Sequence, residues 1–213
     1  MTGRAASPLM LATRSLGKLH ELRPMLGALG IETITLDDAG VPEHPAEEER
    51  LEHYETFEDN ALAKARYFFE RVGRRPTVAD DSGLEVIALG GRPGVHTKRW
   101  SGRTDLSGRA LDAANNAKML SELAGITDRR ARYVCVAAYI DGDGERVFRG
   151  ESTGRMLDAP RGTGGFGYDP LFLSDDVGVT FAEATREQKE RVSHRGRAFA
   201  QLAQWISQRT TPR

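Results

Sequence analysis

Cysteine is nearly absent from this 213-residue chain, and the single thiol, Cys135, excludes an internal disulfide. Long apolar runs are missing too, because the longest, residues 134–140, is far shorter than the roughly 20 residues that span a bilayer. Neither sign of charge is in excess, with 30 Lys and Arg against 31 Asp and Glu. We therefore expect a cytoplasmic protein that binds neither membrane nor nucleic acid and meets any anionic ligand at a local site.

The composition that remains is typical of a globular protein, with 39% hydrophobic and 29% charged residues. We find no internal repeat and no low-complexity linker, so the sequence offers no obvious place to divide the chain. These features predict a single domain over residues 1–213, with residues 1–8 and 209–213 as peripheral tails.

Apolar residues alternate between helical and strand-like spacing along the chain. The predicted strands cover residues 9–13, 31–36, 84–89, 132–141, 145–157 and 171–173. The predicted helices cover residues 19–29, 57–72, 106–123, 185–192 and 195–208. Because residues 141–144 read as a hairpin turn, we predict an α/β fold with a mixed central sheet flanked by helices.

Asp80 and Asp81 follow a short apolar segment and precede Ser82 and Gly83, where we expect a strand to give way to a turn. Adjacent carboxylates repel each other unless a positive charge lies beside them. Mg²⁺ suits such oxygen ligands and keeps further positions for water and phosphates. The alternative is that Asp80 caps the turn and Asp81 is only solvated.

An acidic stretch runs from Glu47 to Asp59, which on its own is more often a solvated surface than a site. Thr56, with Asp59 three residues later, resembles a capping arrangement for the helix that begins at Phe57. A helix that begins there leaves Glu52 in the loop before it. One acid of this stretch can then reach a metal held by the aspartate pair.

Residues 13–18 join the first predicted strand to the first predicted helix, where backbone N–H groups and the helix dipole favour an anion. Lys18 adds a positive charge there, although the segment does not fit the phosphate-loop pattern. The glycine-rich segment 162–167 is followed by Pro170, and this proline disfavours a dinucleotide fold because a helix cannot run straight on from Asp169. The glycines, with Phe166 and Tyr168 among them, fit a loop that brings backbone and an aromatic face against a flat ligand such as a base; an irregular loop with two core aromatics is the alternative.

Hydrogen-bond donors are concentrated near the junction of the last two predicted helices, at Lys189, Ser193, His194, Arg195 and Arg197. A basic helix face in solvent is the ordinary interpretation of such a cluster. Ser193, however, is a good N-cap for the helix that follows, so His194 and Arg195 would project from a helix N-terminus.

Five segments in order resemble the inosine triphosphate pyrophosphatase family, over nearly the whole chain. They are Leu-Ala-Thr-x-x-x-Gly-Lys at 11–18, Thr-Phe-x-x-Asn-Ala-x-x-Lys-Ala-Arg at 56–66, Ala-Asp-Asp-Ser-Gly-Leu at 79–84 with Gly-Gly-x-Pro-Gly at 90–94, Gly-x-Gly-Gly-Phe-Gly-Tyr-Asp-Pro at 162–170, and Ser-His-Arg-Gly at 193–196. Two positions depart from the family's pattern: Ser15 stands where Asn is usual, and Tyr54 where Gly is usual.

The resemblance implies an elongated sheet in two lobes with a cleft between them, and a homodimer. It implies that Asp81 is the catalytic carboxylate and a ligand of Mg²⁺, with Glu52 and Asp80 as further ligands. The substrate-binding residues it implies are Thr13, Arg14, Ser15, Leu16, Gly17, Lys18, Ser82, Phe166, Gly167, Tyr168, Asp169, Lys189, His194 and Arg195.

The implied reaction is hydrolysis of non-standard purine nucleoside triphosphates (XTP, ITP and dITP) to the monophosphate and pyrophosphate, which keeps those nucleotides out of nucleic acid. Donors facing the oxygen at purine position six would reject adenine, which carries an amino group there. Two alternatives stay open: a related pyrophosphatase that acts on other modified nucleotides, and a nucleotide sensor without catalysis.

Overall fold

The computed structural model describes residues 7–210, so most of both predicted tails, residues 1–6 and 211–213, lies outside it. The described chain forms two compact units. The first holds residues 7–81, 136–149 and 198–210, and the second holds Ser82–Cys135 and Gly150–Arg197. The single domain and its tails stay a prediction. Among the described residues, no helix is long and apolar enough to cross a bilayer.

Seven strands lie in one sheet within the described range. They are Leu9–Leu11 (β1), Thr33–Thr35 (β2), Thr77–Val86 (β3), Pro93–Gly94 (β4), Arg130–Asp141 (β5), Gly144–Met156 (β6) and Phe172–Ser174 (β7). The order is β2-β1-β3-β5-β6-β7, with β4 beside β3. β1 is parallel to β2 and β3, whereas the pairs β3–β4 and β6–β7 are antiparallel. The predicted α/β fold with a mixed sheet is therefore confirmed.

Six α-helices of the described chain accompany this sheet. They are Leu16–Ala28 (α1), Pro45–Glu49 (α2), Phe57–Arg71 (α3), Gly108–Glu122 (α4), Arg186–Val192 (α5) and His194–Thr210 (α6). The predicted cap of α3 is present, because Thr56 Oγ1 accepts a hydrogen bond from Asp59 N at 3.1 Å. The apolar face of α3, with Phe57 and Phe68, is buried, and so are Asn60 and Lys64 on the same helix.

The separate strand predicted at residues 84–89 was wrong, because β3 runs without a break from Thr77 to Val86. Ser82 and Gly83 read as a turn in the sequence, but pairing with β1 at the start of β3 and with β4 at its end keeps the segment extended. Asp80 and Asp81 therefore lie inside a strand, where successive side chains point to opposite faces of the sheet.

Candidate active site

The junction of β1 and α1 lies in the first unit. Ser15 caps α1, since its Oγ accepts a hydrogen bond from Lys18 N at 3.4 Å, and Thr13 Oγ1 accepts one from Ser15 N at 3.2 Å. The first N–H groups of any helix have no intrahelical acceptor, so α1 offers donors to an anion here. Leu16 has an apolar side chain and Gly17 has none, so both can offer an anion only their backbone N–H groups.

Lys18 lies against the first of the two adjacent aspartates. Its Nζ is 2.9 Å from Asp80 Oδ2 and 3.2 Å from the Asp80 carbonyl oxygen. The Asp80 side chain is almost fully buried, so this ammonium group is the counter-ion that makes its burial tolerable. Lys18 thus brings a positive charge to the end of β1 while it neutralises Asp80.

Lys64 lies against the second aspartate and was not singled out as a site residue from the sequence. Its Nζ is 2.6 Å from the Asp80 carbonyl oxygen, 3.1 Å from Glu52 Oε1 and 3.2 Å from Asp81 Oδ1. The only available signal was its position in the motif at 56–66, four residues after Asn60 and so on the same helix face. Two ammonium groups, those of Lys18 and Lys64, therefore converge on one carbonyl oxygen.

Asn60 connects Asp81 to the loop that carries Glu52. Its Nδ2 donates to Asp81 Oδ2 and to the Tyr54 carbonyl oxygen, both at 3.1 Å, and its Oδ1 accepts from Tyr54 N at 2.9 Å. With Lys64 on Oδ1 and Asn60 on Oδ2, both oxygens of Asp81 have a fixed partner. Tyr54, the residue that replaces the family's usual glycine, thus uses its backbone to hold this loop in place.

This acidic cluster, defined as Glu52, Asp80 and Asp81 with Lys18 and Lys64, carries one net negative charge. Burial lowers the pKa of Lys64, but the carboxylates of Asp81, Glu52 and Asp80 raise it by more, and the net pKa lies above the ordinary lysine value. Lys64 is therefore charged at neutral pH.

The donor set suits a magnesium ion in part. Glu52 Oε1 and Asp81 Oδ1 both contact one cationic atom, Lys64 Nζ, so the two oxygens point toward a common position. Carboxylate oxygens are the ligands that Mg²⁺ prefers. The Asp80 carboxylate forms its ion pair with Lys18 instead. Within residues 7–210, no group of three His, Cys, Asp or Glu side chains is placed to bind a metal ion by itself.

Arg14, predicted to bind substrate, is engaged in holding the segment that follows β2. Its guanidinium group donates to Glu48 Oε1 at 3.2 Å, to Asp37 Oδ1 at 3.0 Å and to the carbonyl oxygens of Val41 and Pro42 at 3.1 and 2.9 Å. These contacts give Arg14 a structural task, and its role toward a substrate stays a prediction.

In the second unit, the glycine-rich segment exposes one of its two aromatic rings. Phe166 is 36% exposed, whereas Tyr168 is 1% exposed and donates its hydroxyl to the Thr97 carbonyl oxygen at 3.0 Å. Burial raises the pKa of Tyr168 far above the ordinary tyrosine value. Phe166 is thus the ring that can meet a flat ligand, and Tyr168 belongs to the core.

Asp169 and Lys189 support the Phe166 ring. Asp169 Oδ2 accepts hydrogen bonds from Phe166 N at 2.9 Å and from Lys189 Nζ at 2.6 Å. The Lys189 ammonium lies 5.1 Å from the centroid of the Phe166 ring, and the Arg195 guanidinium lies 5.7 Å from it. Gly165 must remain small, because a Cβ there would lie 2.0 Å from Asp169 Oδ2.

The predicted cap of the last helix is present, since Ser193 Oγ accepts from Gly196 N at 3.0 Å. Arg195 is 3% exposed and donates to Ser82 Oγ at 2.9 Å, which brings two predicted site residues together. His194 is buried in an aromatic cluster, where its ring stacks on Tyr133 with centroids 4.6 Å apart. The structure thus groups Ser82, Arg195 and Phe166, and gives His194 a packing role.

Three comparisons agree on the family. The sequence profile of the Ham1 family matches residues 9–205. The chain is 47% identical over 199 residues to a dITP/XTP pyrophosphatase of Mycolicibacterium paratuberculosis, covering 92% of this chain and 94% of the relative. It is 47% identical over 197 residues to a dITP/XTP pyrophosphatase of Geobacter sulfurreducens, covering 91% of this chain and 94% of the relative.

A solved structure of a HAM1 protein from Coxiella burnetii superposes with a TM-score of 0.80 at 33% identity, covering 94% of this chain and 98% of that one. The agreement of sequence and fold confirms the resemblance drawn from the five segments. This chain belongs to the Ham1 family.

Proposed function

We propose that this protein is a nucleoside triphosphate pyrophosphatase that hydrolyses non-standard purine nucleotides, XTP, ITP and dITP, to the monophosphate and pyrophosphate. Relatives named dITP/XTP pyrophosphatase, at 43–47% identity over most of the chain, support this substrate class. Removing these nucleotides would keep them out of nucleic acid.

The triphosphate binds, in this proposal, at the end of β1 in the first unit. The first turn of α1 supplies backbone N–H donors, and Lys18 and Lys64 supply two positive charges. Both ammonium groups are held at the Asp80 carbonyl oxygen before any phosphate arrives, so two positive charges are already present where charge accumulates on the leaving pyrophosphate. Phosphoryl transfer depends mainly on such positioning and electrostatics.

Glu52 and Asp81 are the residues that would hold Mg²⁺, with Asp80 as a further acid nearby. When bound, the ion supplies charge neutralisation for the phosphate oxygens. Lys64 would then give up part of its contact with the two carboxylates and turn toward phosphate, since one position cannot hold both cations. Asp80 would continue to hold Lys18.

Asp81 is our proposed catalytic residue, and it acts on the water that attacks the α-phosphorus. Its Oδ2 accepts a hydrogen bond from Asn60 Nδ2 at 3.1 Å, and this contact keeps the carboxylate oriented when Lys64 turns toward phosphate. A carboxylate held in this way orients the water and accepts a proton from it. No covalent intermediate on the protein is required.

For the base we propose Phe166, which offers its exposed ring, and Arg195 and backbone N–H groups, which offer donors. Inosine and xanthosine carry an acceptor oxygen at purine position six, whereas adenine carries a donor there. Pairing donor with donor would leave buried groups unsatisfied, which can reduce specificity constants by a factor of about 10⁴.

One observation carries the proposal: Glu52 and Asp81 converge on the Lys64 ammonium group, in a chain whose relatives are named dITP/XTP pyrophosphatases. The test is steady-state hydrolysis of ITP, XTP, GTP, dTTP and ATP with and without Mg²⁺, following pyrophosphate. We expect Mg²⁺-dependent turnover of ITP and XTP that greatly exceeds that of ATP.

Asp81→Asn should abolish this turnover, whereas Asp105→Asn, an exposed surface carboxylate paired with Arg103, should not. Equal turnover of ATP and ITP would contradict the base-selection argument, and a preference for dTTP would favour a pyrimidine pyrophosphatase. If the wild type releases no pyrophosphate while Asp81→Asn binds ITP as tightly as the wild type, the protein is a sensor.

The finer features of the proposal are Mg²⁺ dependence, a homodimer and a cytoplasmic location. The first is supported by the oxygen donors of Glu52 and Asp81, the second by the family resemblance, and the third by the single cysteine, Cys135. Light scattering at several protein concentrations tests the homodimer, and a mass of 23.4 kDa, that of one chain, at all of them contradicts it.

A further inference from the structure

Two side chains of α4 hold one residue of the glycine-rich segment. Asp112 Oδ2 accepts a hydrogen bond from Gly167 N at 3.0 Å, and Asn116 Nδ2 donates one to the Gly167 carbonyl oxygen at 3.0 Å. Asp112 and Asn116 are four residues apart, so they lie one above the other on the same helix face. The helix therefore grips Gly167 by both its backbone donor and its backbone acceptor.

Gly167 is in the left-handed region, with φ of +62°, and directly follows the exposed ring of Phe166. The peptide before Phe166 is held as well, because Phe166 N donates to Asp169 Oδ2. Both peptides that flank Phe166 are thus fixed, and the direction in which its side chain leaves the backbone is fixed with them.

We infer that Asp112 and Asn116 are positioning residues for recognition of the nucleobase, acting through Gly167 on the ring of Phe166. This inference rests on the proposed function, in which Phe166 meets the base. Neither residue belongs to the acidic cluster or to the five segments that carry the family resemblance. Their effect is to hold the ring ready before substrate binds, which lowers the entropy lost on binding.

The kinetic signature follows from this role. Asp112→Ala and Asn116→Ala should each raise KM for ITP about tenfold, the value of one charge-assisted or buried hydrogen bond. The turnover number kcat should change less than about twofold, because the groups around the α-phosphorus are untouched. Inorganic tripolyphosphate, which has no base, should inhibit each variant with the same Ki as the wild type.

Conservative variants separate positioning from general damage. Asp112→Asn keeps an acceptor for Gly167 N and should retain KM within about threefold of wild type, whereas Asn116→Asp replaces the donor by a carboxylate and should raise KM by more than Asn116→Ala. Amide hydrogen exchange of Gly167 reports directly on the hydrogen bond from its N–H to Asp112, and we expect protection in the wild type that is lost in Asp112→Ala.

Asn115→Ala is the matched control, since Asn115 directly precedes Asn116 in α4 but forms its hydrogen bonds with the backbone of Ser101 and Lys98. It should lower the melting temperature yet leave the exchange of the Gly167 amide unchanged. The inference is overturned by an unprotected Gly167 amide in the wild type, by an unchanged KM in both alanine variants, or by a rise in the tripolyphosphate Ki equal to the rise in KM. Failure of the proposed function is distinct, since the wild type itself would then not hydrolyse ITP.

Discussion

Replacing Lys64 by Met is the sharpest test of the acidic cluster, because the side chain stays unbranched and loses only its terminal ammonium group, with its charge and donors. The ammonium group serves Glu52 Oε1, Asp81 Oδ1 and the Asp80 carbonyl oxygen. Its side chain is 10% exposed, as is that of Asp81, while that of Glu52 is 34% exposed. The variant therefore leaves one buried carboxylate and one partly solvated carboxylate without their cation.

Removing one partner of a buried ion pair costs about 3–5 kcal/mol. Water screens the share that comes from Glu52, so we take about 3 kcal/mol for Lys64→Met. At about 2–4 °C per kcal/mol for a chain of this size, the melting temperature should fall by about 6–12 °C. Because the folded pKa of Lys64 is raised, its contribution is complete below the ordinary lysine pKa of about 10.4, and its loss begins only above it.

The assay is thermal unfolding by circular dichroism near neutral pH, with and without Mg²⁺. Lys98→Met is the control, because Lys98 is exposed and its loss should cost no more than about 0.5 kcal/mol. Mg²⁺ should raise the melting temperature of Lys64→Met more than that of the wild type. Adding Asp81→Asn to Lys64→Met should recover part of the loss, since both charges are then gone. A fall below about 2 °C in the single variant, or strict additivity in the double variant, would refute the reasoning.

Three further outcomes follow from the contacts described above. Gly165→Ala places a methyl group against the Asp169 carboxylate at a φ of +69°, so KM for ITP should rise about tenfold, and an unchanged KM would contradict the packing of that loop. Arg14→Gln should lower stability by about 1–3 kcal/mol while KM stays within about twofold, and the reverse pattern in steady-state kinetics and thermal unfolding would favour substrate binding by Arg14. Hydrogen bonding from Arg66 lowers the pKa of Glu145, so that its stabilisation is present above the ordinary glutamate pKa and is lost as the pH falls through the lowered value. Glu145→Gln should thus destabilise the protein slightly at about pH 7 and less at about pH 3 in urea unfolding, and an equal effect at both would argue against the pair.

Elements with local signals were predictable from the sequence. The turn at residues 141–144 was predicted from its alternating Asp and Gly, and it joins β5 and β6 as expected. The caps at Thr56 and Ser193 were likewise predicted from residue type and position, and both hydroxyl oxygens accept the expected backbone hydrogen bonds. Such features depend on a few neighbouring residues, so their physics is contained in a short stretch of chain.

Features that depend on distant partners were not predictable. The break expected at Ser82 does not occur, because β1 and β4 pair with β3 on either side of it. Lys64 stands in the motif at 56–66, but nothing in the sequence places it against Glu52 and Asp81. The role of Arg14 toward a substrate stays a prediction, and only the folded chain reveals the carbonyl oxygens that it also holds. In each case, a residue remote in sequence decides the outcome.

The division of the chain into two units has a consequence for biosynthesis. The polypeptide passes from one unit to the other four times, after Asp81, Cys135, Arg149 and Arg197. Neither unit is therefore a contiguous fragment that a shortened gene could encode. Residues 198–210, the last part of the first unit, leave the ribosome after every segment of the second unit. A nascent chain that already contains every acid and lysine of the cluster still lacks a piece of the unit that carries them.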